Sequence, residues 1–146
     1  MGEVVDWTNG VVAIYGRGHS PVGTGFVVSS KGLTVTCAHV LEQAGWPYSD
    51  WDSPVEVRFK ASGRTAQAFA LEDCFRSLIE GDMAVLALEK ALPAGVEVLP
   101  LSAARGLEGH AVRMWGYPRL GEQGLGGHGQ VVALVPGDHG EKIQIE

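Results

Sequence analysis

Short apolar segments separated by turn-forming residues recur along most of the chain. Residues 11–15 (VVAIY) form a compact apolar run, whereas residues 54–60 (PVEVRFK) alternate, with Val55, Val57 and Phe59 on one face. Alternation with a period of two is typical of a half-exposed strand, and a compact apolar run is typical of a buried one. The pattern therefore predicts a series of short β-strands.

The other predicted strands have similar composition and lie between turn-forming residues. They cover residues 25–29, 33–36, 65–75 and 83–88, followed by the segments HAVRMWGYP, QVVALVP and EKIQIE. Residues 83–88 are apolar throughout, which predicts burial on both faces. A short helix is predicted at residues 40–44, because Gly45 and Pro47 would end it. Turn signals at roughly ten-residue spacing indicate an all-β barrel or sandwich.

Composition and charge narrow the function classes. Of the 146 residues, 45% are hydrophobic and 19% are charged, which is enough apolar material for a buried core. The net charge is −6 and the basic residues are scattered, so we expect no nucleic-acid partner and no membrane surface as partner. The beginning of the chain, MGEVVDWTNG, has no signal-peptide pattern, which predicts a cytoplasmic chain or one cut from a longer protein.

Cysteine and histidine spacing gives little sign of a disulfide or a metal centre. Cys37 and Cys74 are predicted to be buried free thiols, with a single disulfide as the alternative. The histidines lack the short paired spacings of zinc sites, so we predict no metal centre; they are His19, His39, His110, His128 and His139.

A histidine and an aspartate stand at the ends of two predicted strands. In GLTVTCAHVL a β-forming run leads into His39, which is either an ordinary core histidine or a base at a strand end. Asp82 precedes the most apolar strand, where an ionised carboxylate needs a partner that an imidazole would supply. In a nucleophilic triad the imidazole takes the nucleophile's proton while the aspartate holds the other ring nitrogen. Whether His39 and Asp82 meet is left open by the sequence.

Three segments together resemble a known family. GTGFVVSSKGLTVTCAHVL, DMAVLALE and WGYP, in this order, are similar to the trypsin-like (chymotrypsin-fold) serine proteases, in particular bacterial intracellular forms such as HtrA-type enzymes and effector-associated domains. The resemblance runs from about Val11 to Glu146. It implies an all-β double barrel, with residues 1–95 forming a complete first barrel and residues 96–146 an incomplete second one.

The same resemblance implies functional roles. His39 would be the general base and Asp82 its orienting carboxylate in a serine endopeptidase that acts on protein or peptide substrates without a cofactor. Gly23-Thr24-Gly25-Phe26 matches a GSGF-like strand with a structural role and Phe26 in the core. Residues 115–118 (WGYP) match the turn after the first strand of the second barrel, with aromatic core residues and a proline-fixed turn.

The chain departs from the family in lacking the GxSGG-like loop that carries the nucleophile and the oxyanion hole. EKIQIE resembles the strand before that loop, so we expect the serine beyond Glu146, an inactive chain, and further domains in the parent protein. In the alternative, His139 in GDHG replaces the serine. A cysteine nucleophile and a non-catalytic binding or sensor module also stay open.

Two further expectations concern the second half of the chain. Missing strands would leave an exposed β edge, which predicts a homodimer or strand exchange. The glycine-rich residues 121–129 lack the Gly-Lys-Ser/Thr of a phosphate loop and are predicted to form a mobile surface loop.

Overall fold

A computed structural model of the chain describes residues 6–47, 50–118, 124–138 and 140–146. Two 3₁₀ turns, one short helix and nine strands make up the described structure. In chain order they are a 3₁₀ turn at Trp7–Gly10, β1 (Val11–Tyr15), β2 (Pro21–Val27), β3 (Leu33–Thr36), α1 (Ala38–Gln43), β4 (Val55–Phe59), β5 (Thr65–Ala70), a 3₁₀ turn at Glu72–Cys74, β6 (Ala84–Leu88), β7 (Ala111–Gly116), β8 (Leu125–Gly137) and β9 (Gly140–Ile145).

The first six strands close into a barrel in the order β1-β2-β3-β6-β5-β4, and all neighbours are antiparallel. Alternate residues of each strand fill the interior, because successive side chains of a strand point to opposite faces. Val55, Val57 and Phe59 of β4 are buried, as the alternation predicts, and Ile14 and Leu86 pack in the same core. Closure leaves none of the six described strands of this half with an open edge.

The last three strands form an antiparallel sheet in the order β7-β8-β9. This sheet is the incomplete second barrel of a chymotrypsin-like fold, so the predicted fold class is confirmed. β8 and β9 form a hairpin in which Gly137 pairs with Gly140. His139, the proposed replacement for the serine, lies outside the described residues.

The two halves meet at the WGYP segment. Tyr117 is buried against Val11 and Ala13 of the first barrel, and its backbone N–H donates to the Thr24 hydroxyl at 2.7 Å. Trp115 is partly buried beside them, as expected for aromatic core residues. The hydrogen bond crosses from β2 to the residue directly after β7, so it fixes the second sheet against the barrel.

This contact gives a stability prediction for Thr24. Replacing Thr24 by valine keeps the shape of the side chain but removes the acceptor of the buried Tyr117 N–H. We expect the free energy of unfolding to fall by about 1–2 kcal/mol, measured by urea denaturation. Thr24→Ser retains the hydroxyl and serves as the control. A Thr24→Val protein as stable as the native one would show that the hydrogen bond contributes nothing.

Strand β2 corrects two predictions. It begins at Pro21 and not at the predicted residue 25, because residues 21–24 continue the pairing with β1 across a bulge between Ile14 and Tyr15. Phe26 is only partly buried, although the sequence places it in the core. The inward face of β2 is occupied by Gly23, Gly25 and Val27, and the alternation turns Phe26 to the other face.

Strands β5 and β6 also differ from the predictions. β5 ends at Ala70, and residues 72–74 form a 3₁₀ turn in which the Cys74 N–H donates to the Leu71 carbonyl. The predicted continuation to residue 75 is therefore wrong. β6 is buried on one face, since Val85 and Ala87 are only partly buried and lie opposite the barrel interior. The outward face of β6 stays partly exposed, whereas Val11 and Ala13 on the outward face of β1 are buried against Tyr117.

The glycine-rich segment is partly a strand. Residues 125–129 belong to β8 and pair with β7, with Gly126 opposite Trp115, so the predicted surface loop is wrong for this part. A Cβ atom at Gly126 would lie 3.1 Å from the Trp115 ring, which is a tight contact, so glycine fits at this strand position without displacing the ring. Residues 121–123 lie outside the described residues.

No helix in the described part of the chain is long and apolar enough to cross a membrane.

Candidate active site

The pairing of β3 with β6 places the two predicted site residues side by side. These strands are antiparallel, with Thr36 at the end of β3 opposite Ala84 at the start of β6. His39 lies in the first turn of α1, directly after β3, and Asp82 lies two residues before β6. The barrel thus brings together two residues that are 43 positions apart in the chain.

Asp82 binds His39 through both carboxylate oxygens. Oδ2 lies 2.6 Å from the His39 Nδ1 atom, and Oδ1 accepts a hydrogen bond from the His39 backbone N–H at 2.8 Å. Because one bond involves the imidazole ring and the other the backbone, Asp82 fixes both the ring of His39 and the start of α1. The side chains are 40% exposed for His39 and 23% exposed for Asp82, so solvent and ligands reach the ring.

A tight loop holds Asp82 in an uncommon backbone conformation. Its φ angle is +53°, in the left-handed region that aspartate tolerates better than most side chains. The Asp82 N–H donates to the Ser77 carbonyl at 2.8 Å, and the Ser77 hydroxyl donates to a Glu80 carboxylate oxygen at 2.8 Å. An antiparallel bridge between Arg76 and Met83 closes the loop. These bonds orient the Asp82 carboxylate toward His39 in the absence of a ligand.

Cys37 belongs to the same site, which the sequence analysis did not predict. It is the N-cap residue of α1 and its side chain is exposed. Cys37 and the half-buried Cys74 are both free, as predicted, but neither is buried. The predicted burial of Cys37 is wrong because the buried positions of β3 are Thr34 and Thr36, so the alternation turns Cys37 to the outward face.

The environment of Cys37 suppresses its thiolate. Partial burial of the sulfur atom, and after it the negative charge of Asp82, raise the pKa of the Cys37 thiol. The thiolate is the reactive form, and reactive cysteines have a lowered pKa in an electropositive setting. Cys37 is therefore not activated as a nucleophile.

An exposed apolar pair borders the site. Leu78 and Ile79 are 61% and 82% exposed at the tip of the loop before Asp82. Leu78 lines a shallow depression together with His39 and Asp82. A second depression continues from this loop to the β8–β9 hairpin, where Lys142 contributes to its lining. The His39–Asp82 pair thus lies in an open cleft that faces the second sheet.

The family to which the chain belongs follows from sequence comparison. The profile of the family described as trypsin-like peptidase domain matches residues 23–145. The match covers His39, Asp82 and all of the second sheet, and the chain is a member of this family. No curated protein sequence is similar enough to the chain to count as a match.

Two solved structures are similar in fold. A serine endoprotease from Yersinia pestis has a TM-score of 0.63 at 23% identity, over 92% of this chain and 46% of its own. The HtrA-type protease AlgW, solved with a decapeptide, has a TM-score of 0.66 at 17% identity, over 97% of this chain and 51% of its own. The chain spans about half the length of each of these structures.

Proposed function

We propose that the chain supplies the general base and the orienting carboxylate of a trypsin-like serine endopeptidase. The observation that carries the proposal is the pair of hydrogen bonds that the Asp82 carboxylate accepts from the backbone N–H and the ring of His39. In this arrangement Nδ1 of the imidazole is held by the carboxylate, and Nε2 is the nitrogen left to exchange a proton with a nucleophile. Membership of the peptidase family supports this chemistry.

The proposed mechanism follows from the two positions. His39 Nε2 accepts the proton of a serine hydroxyl as the serine attacks the scissile carbonyl, and the Asp82 carboxylate stabilises the resulting imidazolium. His39 then gives the proton to the leaving amine, and an acyl-enzyme forms. A water molecule, deprotonated by the same nitrogen, hydrolyses the acyl-enzyme and regenerates the serine.

We place the nucleophile and the oxyanion hole in the full-length protein beyond Glu146. The chain as given then lacks hydrolytic activity, because a base and its carboxylate do not by themselves attack a peptide bond. Protein or peptide substrates are proposed, in keeping with the decapeptide bound to the HtrA-type neighbour. Three statements stay predictions. They are the division of the chain into two barrels between residues 95 and 96, the homodimer through the open sheet edge, and the cytoplasmic location.

Fluorophosphonate labelling tests this proposal. We expect the full-length protein to be labelled on one serine beyond Glu146, located by mass spectrometry, because the probe phosphonylates only an activated hydroxyl. The chain ending at Glu146 and the His39→Ala full-length variant are expected to stay unlabelled. Absence of label from folded, native full-length protein would overturn the serine mechanism. Inhibition by iodoacetamide would then indicate a cysteine nucleophile, and resistance to both reagents a binding module.

A further inference from the structure

Three different metal-binding side chains converge at the proposed base. One sulfur atom of Cys37, one ring nitrogen of His39 and one carboxylate oxygen of Asp82 all lie within 4.8 Å of one another. The first two residues come from the start of α1 and the third from the loop before β6. The sequence predicts no metal centre on the basis of histidine spacing, and the site proposed below departs from that prediction because the barrel brings Cys37, His39 and Asp82 together.

The donor set matches one class of cation. Thiolate and imidazole ligands favour Zn²⁺ and other thiophilic transition metals, whereas Mg²⁺ and Ca²⁺ prefer oxygen ligands. Three protein ligands with an open fourth position are the arrangement of an accessible zinc site. We propose that Cys37, His39 and Asp82 form a Zn²⁺ site in which water occupies the fourth position.

The geometry requires only local adjustment. Ligand atoms around a tetrahedral Zn²⁺ lie roughly 3.3–3.8 Å apart, given metal–ligand distances of about 2.0–2.3 Å. The His39–Asp82 contact of 2.6 Å must therefore open, and the Cys37 sulfur atom, which lies within 4.8 Å of both partner atoms, must adjust to the same spacing. Cys37 is exposed and its side chain makes no capping hydrogen bond to α1, so the thiol is free to rotate. On binding, the thiol loses its proton to solvent and a Zn–S bond forms.

Zinc binding and the proposed catalysis exclude each other. If the metal binds Nδ1, it displaces the Asp82 carboxylate from the imidazole. If it binds Nε2, it occupies the lone pair that accepts the serine's proton. In both cases His39 stops acting as a base, and the site becomes a reversible zinc-controlled switch. This inhibitory consequence rests on the proposed function, whereas the binding itself does not.

Competition with a chromophoric zinc chelator tests the site, with a phosphine as the reductant. We expect one Zn²⁺ per chain in the native protein and in the matched control Cys74→Ser. Cys37→Ser is expected to weaken binding at least about tenfold, because outer-shell changes alone cost 10–100-fold and loss of a ligand costs at least as much. Serine is a favourable N-cap residue, so α1 should persist, which circular dichroism checks.

Substitution of Co²⁺ for Zn²⁺ provides a second readout, which reports directly on a bond between the metal and the Cys37 sulfur atom. If Cys37 had only a structural role, Cys37→Ser would leave this readout unchanged. A thiolate-to-cobalt charge-transfer band is expected in the native protein and in Cys74→Ser, and not in Cys37→Ser. Equal zinc affinity of Cys37→Ser and native protein, or no binding by either, would overturn the inference. The two proposals fail separately. Fluorophosphonate labelling without zinc binding refutes only the metal site, and zinc binding without labelling refutes only the serine mechanism.

Discussion

Asp82→Asn in the full-length protein is expected to lower kcat/KM for a peptide substrate by about 10⁴-fold. The amide keeps an oxygen that the His39 backbone N–H can bind, so the geometry survives. Its NH₂ group would face Nδ1 and favour the ring tautomer with the proton on Nε2. That tautomer has no lone pair where the serine's proton must go, so the base is disabled without being removed.

His39→Ala removes the base itself and is expected to cost at least as much as Asp82→Asn. The double variant should be little worse than either single one, because residues that act as a unit are not additive. The control is Asp73→Asn, which changes an aspartate on the 3₁₀ turn at Glu72–Cys74 and should leave kcat/KM unchanged. If the Asp82→Asn enzyme had the native kcat/KM, the His39–Asp82 pair would have no role in the proposed mechanism.

Gly23→Ala is expected to have the second large effect, on stability and on the site at once. A Cβ atom at Gly23 would fall within 2.6 Å of both Val40 methyl carbons. Valine in a helix has one strongly preferred rotamer, so α1 has to move as a body. We expect the free energy of unfolding to fall by about 3 kcal/mol, the upper end for overpacking, measured by urea denaturation. Because His39 precedes Val40, fluorophosphonate labelling of the full-length protein should fall too.

A double-mutant cycle separates this clash from a general intolerance of alanine. Val40→Ala removes both methyl carbons that the new Cβ would meet, so Gly23→Ala should cost about 2 kcal/mol less in the Val40→Ala background. Gly18→Ala is the matched control, since its Cβ would meet only the Ser20 hydroxyl at 4.0 Å, and it should leave stability nearly unchanged. Equal costs of Gly23→Ala in both backgrounds would refute the clash.

The local pattern of hydrophobic and polar residues predicted those strands whose position depends only on their own residues. The bounds of β1 and β3 agree with the structure, because each is a short run of β-forming residues between turn residues. Prediction failed where the orientation or pairing of a residue depends on contacts with other parts of the fold. Phe26 turns away from the core because glycines occupy the inward face of β2. The glycines of residues 125–129 form a strand because they pair with β7 and accommodate Trp115.

The sequence by itself determined the all-β class, the family resemblance and the two residues proposed for the proton transfer. These depend on residue types in order along the chain, which are readable without a fold. The tertiary structure alone decided that Asp82 binds His39 through both oxygens and that Cys37 stands beside them. These contacts arise because β3 and β6 pair antiparallel, a register that closure of the whole barrel sets and that no local segment encodes.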